Sequence, residues 1–218
     1  MASKPKSPQV VILKNVRLSF PHIFEPQTQT NDDGTERQSF NLALMVPKDH
    51  DQIREIKGAF KSASVAAQTK AWGADEKNWP KIPSHRKCFK DGDNEDHSQR
   101  EEYEGHFFIN ASSPLNRPPT VLTNRRDTKK KWIRAEPGQA GAPYAGCFVN
   151  AIIEVWAQKA DPKKNTVNRI NASLQTVQFR EDGEPFGAQN EDPDDLLDED
   201  DVSSEGEINL EDDDDDLL

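Results

Sequence analysis

Two stretches of this chain set positive charge beside aromatic rings at spacings short enough to act together. Arg125, Arg126, Lys129, Lys130, Lys131, Trp132 and Arg134 place six cations and an indole within ten residues. Lys77, Trp79, Lys81, Arg86, Lys87, Phe89 and Lys90 repeat the combination. Backbone phosphates call for cations at close spacing, and unpaired bases call for a flat π surface to stack on, so each stretch offers both halves of a nucleic-acid contact. A lysine run alone is an ordinary solvated loop tip. Two runs with interleaved aromatics point instead to DNA or RNA. Tyr103, at the start of a strand pattern, and Tyr144, in a loop feeding another, are exposed stacking candidates. Phe107, Phe148 and Trp156 lie within strand patterns and read as core.

Other chemistries find less support. Asp91, Asp93 and their acidic neighbours up to Asp96 could gather a divalent cation, but the run lacks the twelve-residue EF-hand spacing. A nuclease would need further carboxylates from other strands, and Glu154 is the one strand-interior candidate. The run reads better as a Gly-Asp turn. The five histidines have no metal-ligand spacing, and neither G-x-S-x-G nor G-x-x-x-x-G-K-[ST] occurs. No metal, no cofactor and no catalytic role is expected.

Charge divides the chain. All 28 lysines and arginines lie in residues 1–180, with 20 acids, a net of +8; residues 181–218 hold the other 19 acids and no base. The net charge of −11 therefore describes neither half. Residues 188–218 have too little apolar surface to offset the entropy of ordering and are expected to form a disordered acidic tail. It closes with Asp212, Asp213, Asp214, Asp215, Asp216, Leu217 and Leu218. Residues 1–8 are expected to be a flexible, polar N-terminus and 9–187 a single domain. Cys88 and Cys147 form neither a disulfide framework nor a zinc signature, which fits a reducing cytoplasm. No run is apolar and long enough to suggest a signal peptide or a membrane span.

The elements that must carry these residues follow from periodicity. Val16, Leu18 and Phe20 alternate with polar residues in a strand over residues 10–20, and Phe40, Leu42, Leu44 and Val46 repeat that period after a turn-like stretch at 27–35. From Asp49 the period changes. Ile53, Ile56, Phe60, Ala63 and Ala67 fall on one helical face, with Asp49 as expected N-cap and Gly73 at the C-terminal cap. Three more strands are expected over 103–112, 146–158 and 167–179, the last two joined by a hairpin tip at 160–165. Short strands at 88–90 and 120–123 fit as well, and the basic stretch 125–134 is expected in a loop. The fold class is mainly β: a five-stranded OB-like barrel with one long helix in a connection, although a sandwich satisfies the same pattern.

Four segments in order carry a resemblance. Leu13-Lys14-Asn15-Val16-Arg17-Leu18-Ser19-Phe20, the turn Lys90-Asp91-Gly92-Asp93, Phe108-Ile109-Asn110-Ala111-Ser112-Ser113 with Arg117-Pro118, and Tyr144-Ala145-Gly146-Cys147-Phe148-Val149 resemble a family of tailed-phage single-stranded-DNA-binding proteins. The likeness runs over about residues 10–187, to Asp182-Gly183-Glu184-Pro185-Phe186-Gly187. It implies an OB-fold and sequence-tolerant DNA binding in support of phage replication or recombination. It further implies no cofactor, frequent homodimers and an acidic tail. One departure is that such tails commonly close on an aromatic residue, whereas this one closes on two leucines.

The expected mechanism puts Trp79, Arg86, Lys87, Phe89, Tyr103, Arg125, Arg126, Lys130, Trp132 and Arg134 on one barrel face that carries single-stranded DNA. The aspartates of the tail imitate a phosphate backbone and compete for that face. Leu217 and Leu218, once freed, engage a replication partner such as a polymerase or helicase. The rivals are a metal-dependent nuclease around Asp91, Asp93 and Glu154, and a chaperone or DNA mimic acting through the tail.

Overall fold

The computed structural model describes residues 7–30, 36–94 and 101–186. The N-terminal residues 1–6 and the expected tail, 188–218, lie outside the described residues.

Among the described residues, eight strands and one long helix follow one another as β1 (Val10–Thr30), β2 (Glu36–Pro47), α1 (Ile53–Trp72), β3 (Phe89–Asp91), β4 (His106–Pro114), β5 (Thr120–Arg126), β6 (Trp132–Arg134), β7 (Phe148–Gln158) and β8 (Arg169–Glu181). Five of them close a ring. β2 pairs antiparallel with β1 and β4, β1 with β7, and β7 with β8; a parallel contact at Ser112 and Ser173 joins β8 to β4. This is the five-stranded barrel of an OB-fold, and its strands are the five whose alternation is legible in the sequence. β3 extends the sheet beyond β4, and the β5–β6 hairpin extends it beyond β8.

Alternation fills the barrel. Leu42, Leu44 and Val46 of β2, Ile109 and Ala111 of β4, and Val149, Ala151, Ile153 and Val155 of β7 point inward and are almost wholly buried. Ile56, Phe60, Ala63 and Ala67 of α1 join the same core. Burying a residue the size of Phe60 contributes about 1.5–3 kcal/mol. Cys88 and Cys147 are also buried, which pushes their thiols up to about 12 and about 11. Neither is a nucleophile at neutral pH.

Several local expectations are corrected. Asp49 does not cap the helix: α1 starts at Ile53 with Gln52 in the cap position and no side-chain cap bond. The imidazole Nδ1 of His50 accepts the Gln52 N–H instead, at 3.1 Å. Gly73 does close the helix, with φ of 94° and its N–H donated to Thr69 O. Residues 27–30 belong to β1 rather than to a turn, and pair with 36–39. The stretch 125–134 is not a loop, because Arg126 pairs with Trp132 and Leu122 with Arg134 across a tight turn. There the Asp127 carboxylate accepts the N–H groups of Lys129 and Lys131. The 160–165 hairpin tip is present as a 3₁₀ turn, Pro162–Lys164. Among the described residues no helix is long and apolar enough to cross a membrane.

Candidate nucleic-acid interface

The outer face of β2 and β4 is the floor of a groove. Antiparallel register sets Asn41 beside Ser112 and Ala43 beside Asn110, so the floor is small and polar. Phe20 of β1, Arg37 of β2, Lys90 of β3 and Arg169 of β8 stand around it, and the segment 84–88 contributes Arg86 and Lys87. The groove measures about 980 Å³, and five cations but no carboxylate line it. Lys90 reports the crowding: burial first, then the charge of Arg169, lowers its ammonium below the ordinary lysine value. A bound polyanion would relieve that repulsion.

Phe20 is the aromatic that sequence periodicity missed. Alternation put it inside with Val16 and Leu18, but the β1–β2 register shifts between Ser19 and His22. Ser19 is therefore buried, while Phe20 turns out with φ of 45° and 40% exposure. A bulge re-aims side chains in this way. Arg37 and Arg169 were missed for a different reason. Arg37 is the lone cation of β2 and Arg169 lies at the far end of β8 from Arg180, outside any basic run, so only the barrel's closure carries them to the groove.

The predicted residues divide into five places. Arg86 and Lys87 line the groove. Tyr103 lines it too, yet is 5% exposed, which corrects the expectation of an exposed ring; it stacks on Phe108 with centroids 4.5 Å apart. Phe89 faces α1, between Phe60 at 4.9 Å and Phe107 at 5.4 Å. Lys77, Trp79 and Lys81 sit in the connection after α1, where the Trp79 indole N–H is donated to Gly73 O at 2.8 Å.

Arg125, Arg126, Lys130, Trp132 and Arg134 form a separate exposed arm on β5–β6, with the Arg126 guanidinium 3.8 Å from the centre of the Trp132 ring. β5 lies parallel to β8, Thr120 beside Thr176 and Leu122 beside Gln178. The arm thus leaves β8 six residues beyond Ala172, roughly 20 Å along the strand from the groove. The residues expected on a single face therefore do not share one. Trp156, read as core, is 38% exposed on the outside of β7.

Tyr144 does not stand free. Its hydroxyl meets the Asp182 carboxylate at 3.1 Å and Gly183 O at 3.0 Å. Burial first of all raises its pKa. The contact docks a strap, residues 182–186, that Arg17 also holds: Nη2 donates to Glu184 O at 2.7 Å, and the guanidinium lies 4.2 Å from the centre of the Phe186 ring. Phe186 packs against the cluster of Ala43, Met45, Tyr103 and Phe108, three of which line the groove. The described chain therefore ends at the groove's margin.

The carboxylates of the nuclease hypothesis are engaged elsewhere. Lys48 Nζ bridges Asp91 and Asp93, and Asp93 also accepts the Gly105 N–H. Gly92 sits so close to Tyr103 that a Cβ would come within 1.9 Å of its carbonyl oxygen. These residues form the Gly-Asp turn. Glu154 accepts from Gln175 at 3.1 Å, and among the described residues no three His, Cys, Asp or Glu side chains cluster.

Comparison with known proteins gives concordant results. A family model described as the single-stranded-DNA-binding protein of Enterobacter phage Enc34 matches residues 9–207. Protein p50 of Acyrthosiphon pisum secondary endosymbiont phage 1 is 33% identical over 179 residues, 80% of this chain and 84% of that protein. The structure of the single-stranded DNA-binding protein from bacteriophage Enc34 in complex with single-stranded DNA matches at 27% identity and TM-score 0.63, over 85% of this chain and 97% of that one. The same phage protein without DNA matches at 26% identity and TM-score 0.61, over 90% and 97%.

Proposed function

Because the chain belongs to the phage single-stranded-DNA-binding protein family of Enterobacter phage Enc34, we propose that it binds single-stranded DNA without sequence preference and without catalysis. The observation that carries this reading is the acid-free groove with its five cations. Arg37, Arg86, Lys87, Lys90 and Arg169 follow the phosphates, and Phe20 stacks a base at about 1–3 kcal/mol. Small polar residues on the floor let any base lie against it. The β5–β6 arm, with its Arg126–Trp132 pair, is a second contact for strands long enough to reach it.

Residues 9–187 act as the binding domain and 188–218 as a competing tail. Phe186 at the groove margin supports this division, because the described chain ends beside the cations for which an acidic segment would compete. The reading extends to support of phage replication and recombination in the host cytoplasm. Leu217 and Leu218 would dock a polymerase or helicase once DNA displaces the tail, and the protein would act as a homodimer.

A gel shift with single-stranded and duplex oligonucleotides, using the full chain and a variant ending at residue 187, tests the proposal. Affinity for single strands should fall with salt at a log–log slope near −0.7 for each phosphate neutralised. Affinity that is indifferent to salt, or confined to one sequence, refutes it.

A further inference from the structure

A smaller cavity, of about 300 Å³, lies between α1 and β3. Its floor is apolar: Phe60 of α1, Ile82, Phe89 of β3 and Ile170 of β8. Lys57, Lys61 and Lys87 stand exposed around it, and no carboxylate is among the described residues that line it. Along α1 the lining residues Lys57, Lys61, Ser64 and Gln68 recur at spacings of four, three and four, which sets them on one stripe about 16 Å long. Such a stripe matches about five residues of extended chain. The volume is at the lower end of the range for small-ligand sites, about 300–1,000 Å³, and holds one or two side chains rather than an acyl chain.

Lys87, Cys88 and Ile170 line both this slot and the groove, yet the slot does not suit a nucleobase. Phe89 is already stacked on Phe107 at 5.4 Å and tilted against Phe60 at 4.9 Å, and Phe60 is 4% exposed. Neither ring keeps an open face for a base to stack on. The Gln68 amide is already donated to Ser64 O at 3.2 Å. What suits a small apolar floor between exposed cations is a bulky aliphatic or aromatic side chain flanked by carboxylates. We propose that the α1–β3 slot docks a short acidic segment of another protein, with one or two such apolar side chains at its centre. The apolar groups enter over Ile82 and Phe89, while the carboxylates meet Lys57 and Lys61 along α1 and Lys87 at the wall shared with the groove. Burial supplies most of the affinity; the lysines speed encounter and fix how the segment lies, because exposed ion pairs contribute little each. A segment seated at Lys87 would also compete with a strand in the groove for that one cation. This coupling, unlike the seat, rests on the proposed function.

The test follows isoleucine methyl groups by NMR in the full chain, since Ile82 lines the slot and Ile170 lines both slot and groove. The probe is a synthetic eight-residue peptide with Leu-Phe between two runs of three acidic residues, and the control peptide carries Ser-Ser in place of Leu-Phe. The first should shift the Ile82 methyl saturably, and the control should bind roughly tenfold more weakly or not at all. K61E should weaken the first peptide several-fold, whereas R180E, an equal charge change at the far end of β8, should not. A slot filled by a second copy would show Ile82 shifts that grow with protein concentration before peptide is added, and a slot that takes a base would show Ile82 responding to oligo(dT) as much as to peptide. Either result overturns the proposal, as does equal binding of the two peptides or indifference to K61E. Oligo(dT) binding, read by gel shift on the same samples, keeps the two readings apart. Failure of the peptide beside intact DNA binding defeats the slot alone, whereas peptide binding by a chain that binds no DNA defeats the groove reading alone.

Discussion

Phe20 holds a backbone φ of 45°, where a side chain other than glycine costs of order 1–3 kcal/mol, and it keeps an aromatic ring partly in solvent at the groove. Strain beside a partly exposed ring suits a side chain kept for binding. Phe20→Gly separates the two roles, since glycine accepts that backbone freely. Its melting temperature should equal or exceed that of the parent, while affinity for single-stranded DNA drops by about 1–3 kcal/mol in fluorescence anisotropy. Unchanged affinity would remove Phe20 from the interface. Arg169→Ala should weaken all sequences alike and reduce the salt slope by about 0.7. It should also let the Lys90 ammonium titrate higher by NMR, because the Arg169 charge is part of what lowers it.

Between elements, Lys48 ties the end of β2 to the turn that joins β3 to the residues before β4. The hydrogen bond from Lys48, and then the Gly105 N–H, hold the Asp93 carboxyl below its ordinary value; Asp91 and then Asp93 raise Lys48 above its own. A depressed carboxylate stabilises the fold above its unfolded pKa of about 3.9, and that contribution is lost as pH falls through the lower folded value. A raised lysine stabilises below about 10.4, with loss only as pH rises through its higher folded value. Lys48→Met should therefore lower the melting temperature at neutral pH, with the difference closing at both extremes; a gap that persists at pH 2 would show that the clamp does not act through charge. Gly92→Ala in the same turn should cost about 1–3 kcal/mol, because the Tyr103 backbone must move. On the β5–β6 arm, Trp132→Ala should leave binding of oligonucleotides that just fill the groove intact and weaken that of longer ones.

For the molecule as a whole, the proposed competition follows from opposed charges: a tether of this length would hold the acidic segment at an effective concentration of the order of millimolar. Ending the chain at residue 187 should tighten single-stranded binding at low salt and permit weak duplex binding; the two curves should converge as salt screens the attraction. Equal affinities at low salt would reduce the tail to a solubilising appendage.

Charge partition, the five barrel strands, the helix and the Gly-Asp turn were legible in the chain because each depends on neighbours in sequence: net charge on composition, strands on a two-residue period, the helix on spacings of three and four. The register at which the barrel closes, the place of Phe20 and the separation of the basic stretches were not. A bulge of one residue reverses which side chains face out, and no local pattern announces it. Arg37 and Arg169 share a groove because β8 returns beside β4 at Ser112 and Ser173, a contact across 61 residues. The sequence determined by itself that a basic β-domain precedes an acidic segment and carries the family's motifs. Only the tertiary structure decided which cations converge, because convergence is a property of strand register and closure, and both are set by packing the core.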